Sequence, residues 1–338
     1  MIKDKINSIK NLFLLKNYTI QMKRILCILS LLFFITACDD GNLTVDVIDF
    51  SEVAVQKCSD KDVIYKVKDA EMIFIEIPAS TFINDATVEG EPIEVAINST
   101  NKVTYRKYDG TVSSANICPT IPDATPNLKE QWNATSGIIQ ITSTAIKSTN
   151  TTDNSTRITG YTYNIVFKNI TFQKPTGPQV YETFPFGNYA TTVSPLAFGF
   201  NEEVDKSACS TKIYDFSGGE VFTLDVADFT TLFANEVTTT PRTALISSTS
   251  KLSYRLYSST ITDAYFCAAT IPATPTLTQQ WNAIDGIEAT SGIIEVSTTT
   301  LTTTTYQHTI RLKKVTLKKG NSEFSLGDDY LFGTLITN

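Results

Sequence analysis

His308 is the only histidine in the 338 residues, and so the only imidazole that could act as a general base or join a metal site. A histidine-cluster metal centre is therefore excluded, and the chain contains no Gly-x-Ser-x-Gly elbow, His-Glu-x-x-His helix or phosphate-binding glycine loop. Carboxylates are plentiful, and glycoside hydrolysis needs only two that meet in space, so a carboxylate-dependent hydrolase stays open as an alternative. No catalytic residue, metal ligand or cofactor site is assigned. The pattern that reads as recognition is Tyr105-Arg106-Lys107-Tyr108, which returns as Tyr254-Arg255-Leu256-Tyr257. Strand alternation turns Leu252, Tyr254 and Leu256 inward, so Arg255 and Tyr257 should face outward, as should Arg106 and Tyr108. An exposed aromatic beside a cation can contact a glycan or a partner protein. The commoner use of such a pair is cross-strand stabilisation of the sheet.

That recurrence belongs to a longer one. Lys102-Val-Thr-Tyr-Arg-Lys-Tyr108 matches Lys251-Leu-Ser-Tyr-Arg-Leu-Tyr257 at an offset of 149 residues, and the same offset maps Cys118 onto Cys267 and Gln131-Trp132-Asn133-Ala134 onto Gln280-Trp281-Asn282-Ala283. Cys58 corresponds to Cys209 after a small change in loop length. Later segments match after an insertion at Ile284 to Ala289, bringing Lys174 onto Lys319 and Tyr163 onto His308. A strand position that takes Tyr in one copy and His in the other reads as structural. Each copy owns one cysteine pair, so duplication predicts bridges Cys58–Cys118 and Cys209–Cys267, each closing about 60 residues and worth about 4 kcal/mol in the chain-entropy model.

The elements that must position these residues are strands. Period-two patterns such as Met72-Ile-Phe-Ile-Glu-Ile77 and Val221-Phe-Thr-Leu-Asp-Val226 recur between turn residues, and no long amphipathic helix is visible. Asp109-Gly110 reads as a hairpin turn between strands Val103–Tyr108 and Thr111–Cys118, with Ser258-Ser259 in its place in the second copy. Residues 147–160 read as a long polar loop. One short helix per copy is expected after the second cysteine, capped by Thr125 with Pro126 at its first position and repeated at Thr274-Pro275. Leu128 and Trp132 would then share a helical face and pack on the sheet, as would Leu277 and Trp281. The fold class expected is mainly β: two tandem duplicated β-sandwich-like domains, 44–190 and 191–338, each with one short helix and one disulfide. An immunoglobulin domain would put its Trp between the bridged cysteines, and here Trp follows both.

Ahead of these domains, Lys23-Arg24 precede an apolar run from Ile25 to Ile35, which is too short to span a bilayer and reads as a signal peptide over 22–37. Ile35-Thr36-Ala37-Cys38 resembles the lipobox of bacterial lipoproteins. That resemblance implies lipidation of Cys38, which becomes the first residue of the processed chain, and anchoring in the cell envelope, with the outer membrane the expected site. Residues 1–21 read as an upstream extension with Met22 the expected start, and 38–43 as an acidic tether that begins Cys38-Asp39-Asp40. Residues 1–37 hold six of the 28 Lys/Arg and one of the 35 Asp/Glu, so the processed chain carries 22 basic against 34 acidic residues, a net charge of −12. Nucleic acid is excluded as a partner on that balance. The expected function is a lipid-anchored, non-catalytic binding or scaffold module for an envelope protein or a polysaccharide, with its two copies favouring avidity.

Overall fold

The computed structural model describes residues 47–338 apart from 269 and 271; the upstream extension, signal peptide and tether, Cys38 included, lie outside the described residues. Residues 50–338 form one unit, mainly β. Its first half holds β1 (Gln56–Lys57), β2 (Val63–Lys68), β3 (Glu71–Glu76), β4 (Ile93–Ala96), β5 (Lys102–Tyr108), β6 (Leu128–Thr149), β7 (Thr156–Lys174) and β8 (Gly177–Thr192). They join in the order β1-β2-β3-β5-β6-β7-β8, all antiparallel, while β4 adds to the middle of β6. β5 pairs with the start of β6, Leu128 to Asn133, and β4 with Ile138 to Ile141. Register shifts near Ala134 to Ile138 separate those two stretches, and the sheet curls.

The second half holds β9 (Asp205–Lys206), β10 (Ile213–Ser217), β11 (Glu220–Asp225), β12 (Arg242–Leu245), β13 (Lys251–Tyr257), β14 (Leu277–Ala283), β15 (Ile293–Thr300), β16 (Tyr306–Lys313), β17 (Thr316–Lys319), β18 (Ser322–Ser325) and β19 (Tyr330–Thr337). Where β6, β7 and β8 run through, this half is interrupted, giving one sheet β9-β10-β11-β13-β14-β17-β18 and another β12-β15-β16-β19. The extra residues 284–289 part β14 from β15, and Lys314, at φ 48°, falls between β16 and β17. Corresponding positions keep their partners: Tyr105 lies opposite Trp132, and Tyr254 opposite Trp281. The core of the first half is lined by Ile73, Ile75, Val103, Tyr105, Trp132, Ile139, Ile165 and Phe167, all buried.

The disulfides join Cys58 to Cys118 and Cys209 to Cys267, with Cα–Cα distances of 5.3 and 5.5 Å, as the repeat predicted. The helix expected after the second cysteine is not formed. Leu128–Trp132 begins β6 and Leu277–Trp281 begins β14, each following a cis Thr–Pro peptide. A spacing of four fits one helical turn and two strand repeats alike, and pairing with β5 or β13 decides it. The helical turns lie earlier, at Ser114–Asn116, where Ser113 and Asn116 form a capping box, and at Asp263–Cys267. They replace the expected strand Thr111–Cys118. Residues 109–127 instead loop out, and Asp109 ends the excursion by accepting hydrogen bonds from Asn127 N at 2.7 Å and Asn127 Nδ2 at 2.9 Å. The polar segment 147–160 is mostly strand, since β6 and β7 pair out to Thr149 and Thr156, leaving 150–155 as the loop.

Candidate functional site

In each expected Arg–Tyr pair the structure leaves the arginine half-buried and buries the tyrosine. Arg106 lies over the Phe74 ring, 5.0 Å from its centroid, and donates from Nε to Gln131 Oε1 at 2.8 Å. Arg255 Nε donates to Gln280 Oε1 at 3.3 Å. Both are half-buried members of polar cross-strand ladders that continue to Asn133 and Asn282. Tyr108 and Tyr257 are buried instead of exposed. Alternation does turn them away from Tyr105 and Tyr254, but that second face is roofed by the disulfide-bearing loop. Tyr108 packs with Cys58, Tyr65, Met72, Val112 and Ile117, and Tyr257 with Val221, Ile261 and Tyr265. Trp132 and Trp281, each 3% exposed, are core residues.

His308 is fully buried. Nδ1 meets Thr298 Oγ1 at 2.8 Å and Nε2 meets Thr337 Oγ1 at 2.9 Å, and desolvation, with Arg242 nearby, holds its pKa below the ordinary value. Tyr163, its counterpart, is equally buried and donates to Ile83 O at 2.9 Å. Among the described residues, no three His, Cys, Asp or Glu side chains gather as a metal site.

A different place brings polar and aromatic groups together, at the seam between the halves. The β17–β18 turn of the second half is held by Asp85 of the first, and the 150–155 loop sits against 325–328, where Asn154 Nδ2 donates to Asp328 Oδ2 at 2.6 Å and Asp328 N to Asp153 O at 2.8 Å. Beside these contacts lies a cleft of about 60 Å³, room for a few waters or one small polar group. Asn84 comes from the loop before β4. Arg157, Ile158 and Tyr161 come from β7, and Val193, Ser194 and Leu196 from the segment leaving β8. The second half adds Gln279 and Trp281 from β14, Lys319 from β17 and Phe324 from β18.

The charge in this cleft is positive. Arg157 stacks on Phe198 and Phe324, with Cζ 4.5 and 5.5 Å from their centroids, and Nη1 donates to Thr156 O at 2.7 Å and Ser325 O at 3.3 Å. Lys319 Nζ lies 5.1 Å from the Trp281 ring centroid. No Asp or Glu lines the cleft, and among the described residues neither cation has a carboxylate within 4 Å. Burial holds the Arg157 pKa below its ordinary value, while Tyr330, Asp153, Tyr254 and Glu220 act in the opposite direction. Behind Phe198, Glu220 accepts from the N–H groups of Ala197 (3.1 Å), Phe198 (3.0 Å) and Gly199 (2.9 Å) and from the Tyr254 hydroxyl, so its own hydrogen-bonding capacity is engaged.

The corresponding place in the first half is built differently. Lys174 lies 4.9 Å from the Trp132 ring centroid, but the indole N–H donates to Glu130 Oε2, where Trp281 donates to Gln279 Oε1, both at 3.1 Å. An amide thus stands in the second half where the first has a carboxylate. Sequence reasoning did not single out Arg157, Gln279 or Lys319. The signal was present where matching segments differ: Arg157 falls in a stretch that is shorter between the matching segments later in the chain, and Glu130 precedes Gln-Trp-Asn-Ala where Gln279 precedes the same four residues. No protein-family model, curated protein or solved structure matches this chain.

Proposed function

We propose that this protein is a lipid-anchored component of the bacterial envelope, held in the outer membrane through Cys38, in which two tandem copies of one β-sandwich-like domain form a non-catalytic binding module. The observation that carries the binding role is the seam cleft, where Arg157 and Lys319 have no carboxylate within 4 Å among the described residues, in a chain that is acidic as a whole. Low-dielectric walls around like charges concentrate the field and attract opposite charge. Three further features support the rest of the reading. Ile35-Thr36-Ala37-Cys38 follows an apolar run as a lipobox does. Two disulfides suit an oxidising compartment. The shared strand order and matching Tyr–Trp register suit duplication of an ancestral domain.

Metabolic labelling with an acyl probe, combined with crosslinking on intact cells, tests this reading. The parent should take up the probe and crosslink to an envelope polysaccharide or protein, and Cys38→Ala should lose both label and membrane retention. Undiminished labelling of Cys38→Ala would remove the anchor, and absence of any crosslinked envelope component would remove the binding role.

A further inference from the structure

We infer that the seam cleft is a subsite for one carboxylate of an acidic saccharide, such as a uronate unit of a polymer. The inference rests on the binding-module reading and specifies its ligand. Charge comes first: Arg157 and Lys319 line the same cleft, and no acidic side chain lines it. Arg157 spends Nη1 on two backbone carbonyls and has no hydrogen-bond partner at Nε or Nη2 among the described residues, leaving guanidinium donors for a ligand oxygen. Lys319 makes a contact with the Trp281 ring and no hydrogen bond within the described chain, so its ammonium protons are uncommitted.

Size and neighbours narrow the class. About 60 Å³ admits a carboxylate head but not a whole sugar ring, so the rest of the ligand must lie at the mouth. Asn84 and Ser194 are exposed there and Gln279 is half-exposed, giving neutral donors and acceptors suited to ring hydroxyls. The two aromatic rings in the lining are covered, Trp281 3% and Phe324 2% exposed, so the apolar surface left at the mouth is the half-buried Val193 and Leu196. The Glu130 to Gln279 difference fits this assignment. A carboxylate in the Gln279 position would neutralise Lys319 and repel an incoming anion, and the first half, which keeps Glu130, should not bind. Each molecule then carries one such subsite.

The test uses the full lipidated chain in neutral detergent, with trigalacturonate, its methyl ester and a carboxylate-terminated tripeptide as probes in titration calorimetry. Trigalacturonate should bind, its methyl ester at least about tenfold more weakly, and the affinity should fall as salt rises. Lys319→Gln should weaken binding about tenfold while staying folded and melting within a few degrees of the parent, because what it gives up among the described residues is the contact with the Trp281 ring. Gln279→Glu should weaken binding in the same direction. Arg157→Lys keeps a cation and serves as the folded control for Arg157→Gln. Equal binding of acid and ester, unchanged affinity in folded Lys319→Gln and Gln279→Glu, or preference for the tripeptide would each overturn the assignment. Crosslinking by Lys319→Gln on intact cells keeps the two readings apart. If it captures the same envelope component as the parent, the binding module stands and the cleft subsite falls.

Discussion

Asp85 Oδ1 accepts hydrogen bonds from Ser322 N at 2.8 Å and from Ser322 Oγ at 2.7 Å, across 237 residues of sequence. It also accepts from Asn321 N at 3.0 Å and from Ala86 N at 2.9 Å. One carboxylate thereby fixes the turn that presents Lys319 to the cleft. The turn is shaped to receive it: Gly320 has φ +56°, and a Cβ there would lie 1.8 Å from Asp85 Oδ2.

From this contact, Asp85→Ala should destabilise the protein by about 2–3 kcal/mol, the range for losing charged hydrogen bonds and leaving donors unpaired. Gly320→Ala should cost a similar amount through steric collision. Because both act on one contact, Asp85→Ala should relieve the collision, and the double variant should cost clearly less than the two single losses together. Chemical denaturation of the four proteins gives the coupling, and strict additivity would show that the contact does not hold the seam.

Replacing both Cys58 and Cys118 by Ala should cost about 4 kcal/mol if loop closure in the unfolded chain dominates. The loss should exceed that of removing an average surface contact, because Cys58, Tyr108 and Ile117 form the cluster beneath the loop that the bridge clamps. Non-reducing peptide mapping should recover Cys58 with Cys118 and Cys209 with Cys267, and denaturation of the double variant measures the cost.

Trp132→Ala and Trp281→Ala should each destabilise by about 3–5 kcal/mol, as large truncations in a packed core do. Trp132 packs on Tyr105 with centroids 4.6 Å apart, and Trp281 meets Phe324 edge-on at 5.0 Å. The two differ at the surface. Trp281 lines the cleft and Trp132 does not, so only Trp281→Ala should also weaken trigalacturonate. Melting and titration of both variants check this.

How much of this arrangement was legible in the sequence depends on which interactions set each feature. The β character, most strand positions and both disulfides follow from local periodicity and from comparing the chain with itself. The alternation through Tyr105 and Tyr108 was also legible, and it places the two residues on opposite faces. That both faces would be buried was not, because a loop that folds back over the sheet leaves no period in the strand it covers. Leu128 and Trp132 were assigned to a helix because their spacing satisfies two periods at once, and the partners that decide between them, Tyr108 and Tyr105, lie 20 and 27 residues away. The cleft was the least visible. Its residues come from both halves of the chain, so no match of the sequence with itself can reveal it, and its only trace is where the matched segments differ.

Lys66 of β2 and Asp215 of β10, 149 residues apart, place opposite kinds of ionisable side chain at buried strand positions, 4% and 5% exposed. Lys66 Nζ donates to Phe50 O at 2.9 Å. Asp215 reverses the polarity, accepting from the N–H groups of Phe216, Glu202 and Asn201, yet its Oδ2 has no partner. Desolvation outweighs those hydrogen bonds and pushes its pKa from 3.8 up to about 6. A carboxyl raised in the folded state binds its proton more tightly there than in the unfolded chain. Its contribution to stability is therefore full below pH 3.8 and is lost as pH rises through about 6. The shift of about two units corresponds to about 2–3 kcal/mol. Asp215→Asn cannot ionise and should escape that loss, so its stability relative to the parent should increase between pH 4 and 7 by about that amount. His308 has a depressed pKa and acts in the opposite sense, gaining stability as pH rises toward the ordinary histidine value, but it is common to both proteins and cancels in the difference. Urea denaturation of parent and Asp215→Asn across that range measures the difference directly. A pH-independent offset would mean that Asp215 titrates as an ordinary exposed carboxylate and that its orphaned oxygen is solvated.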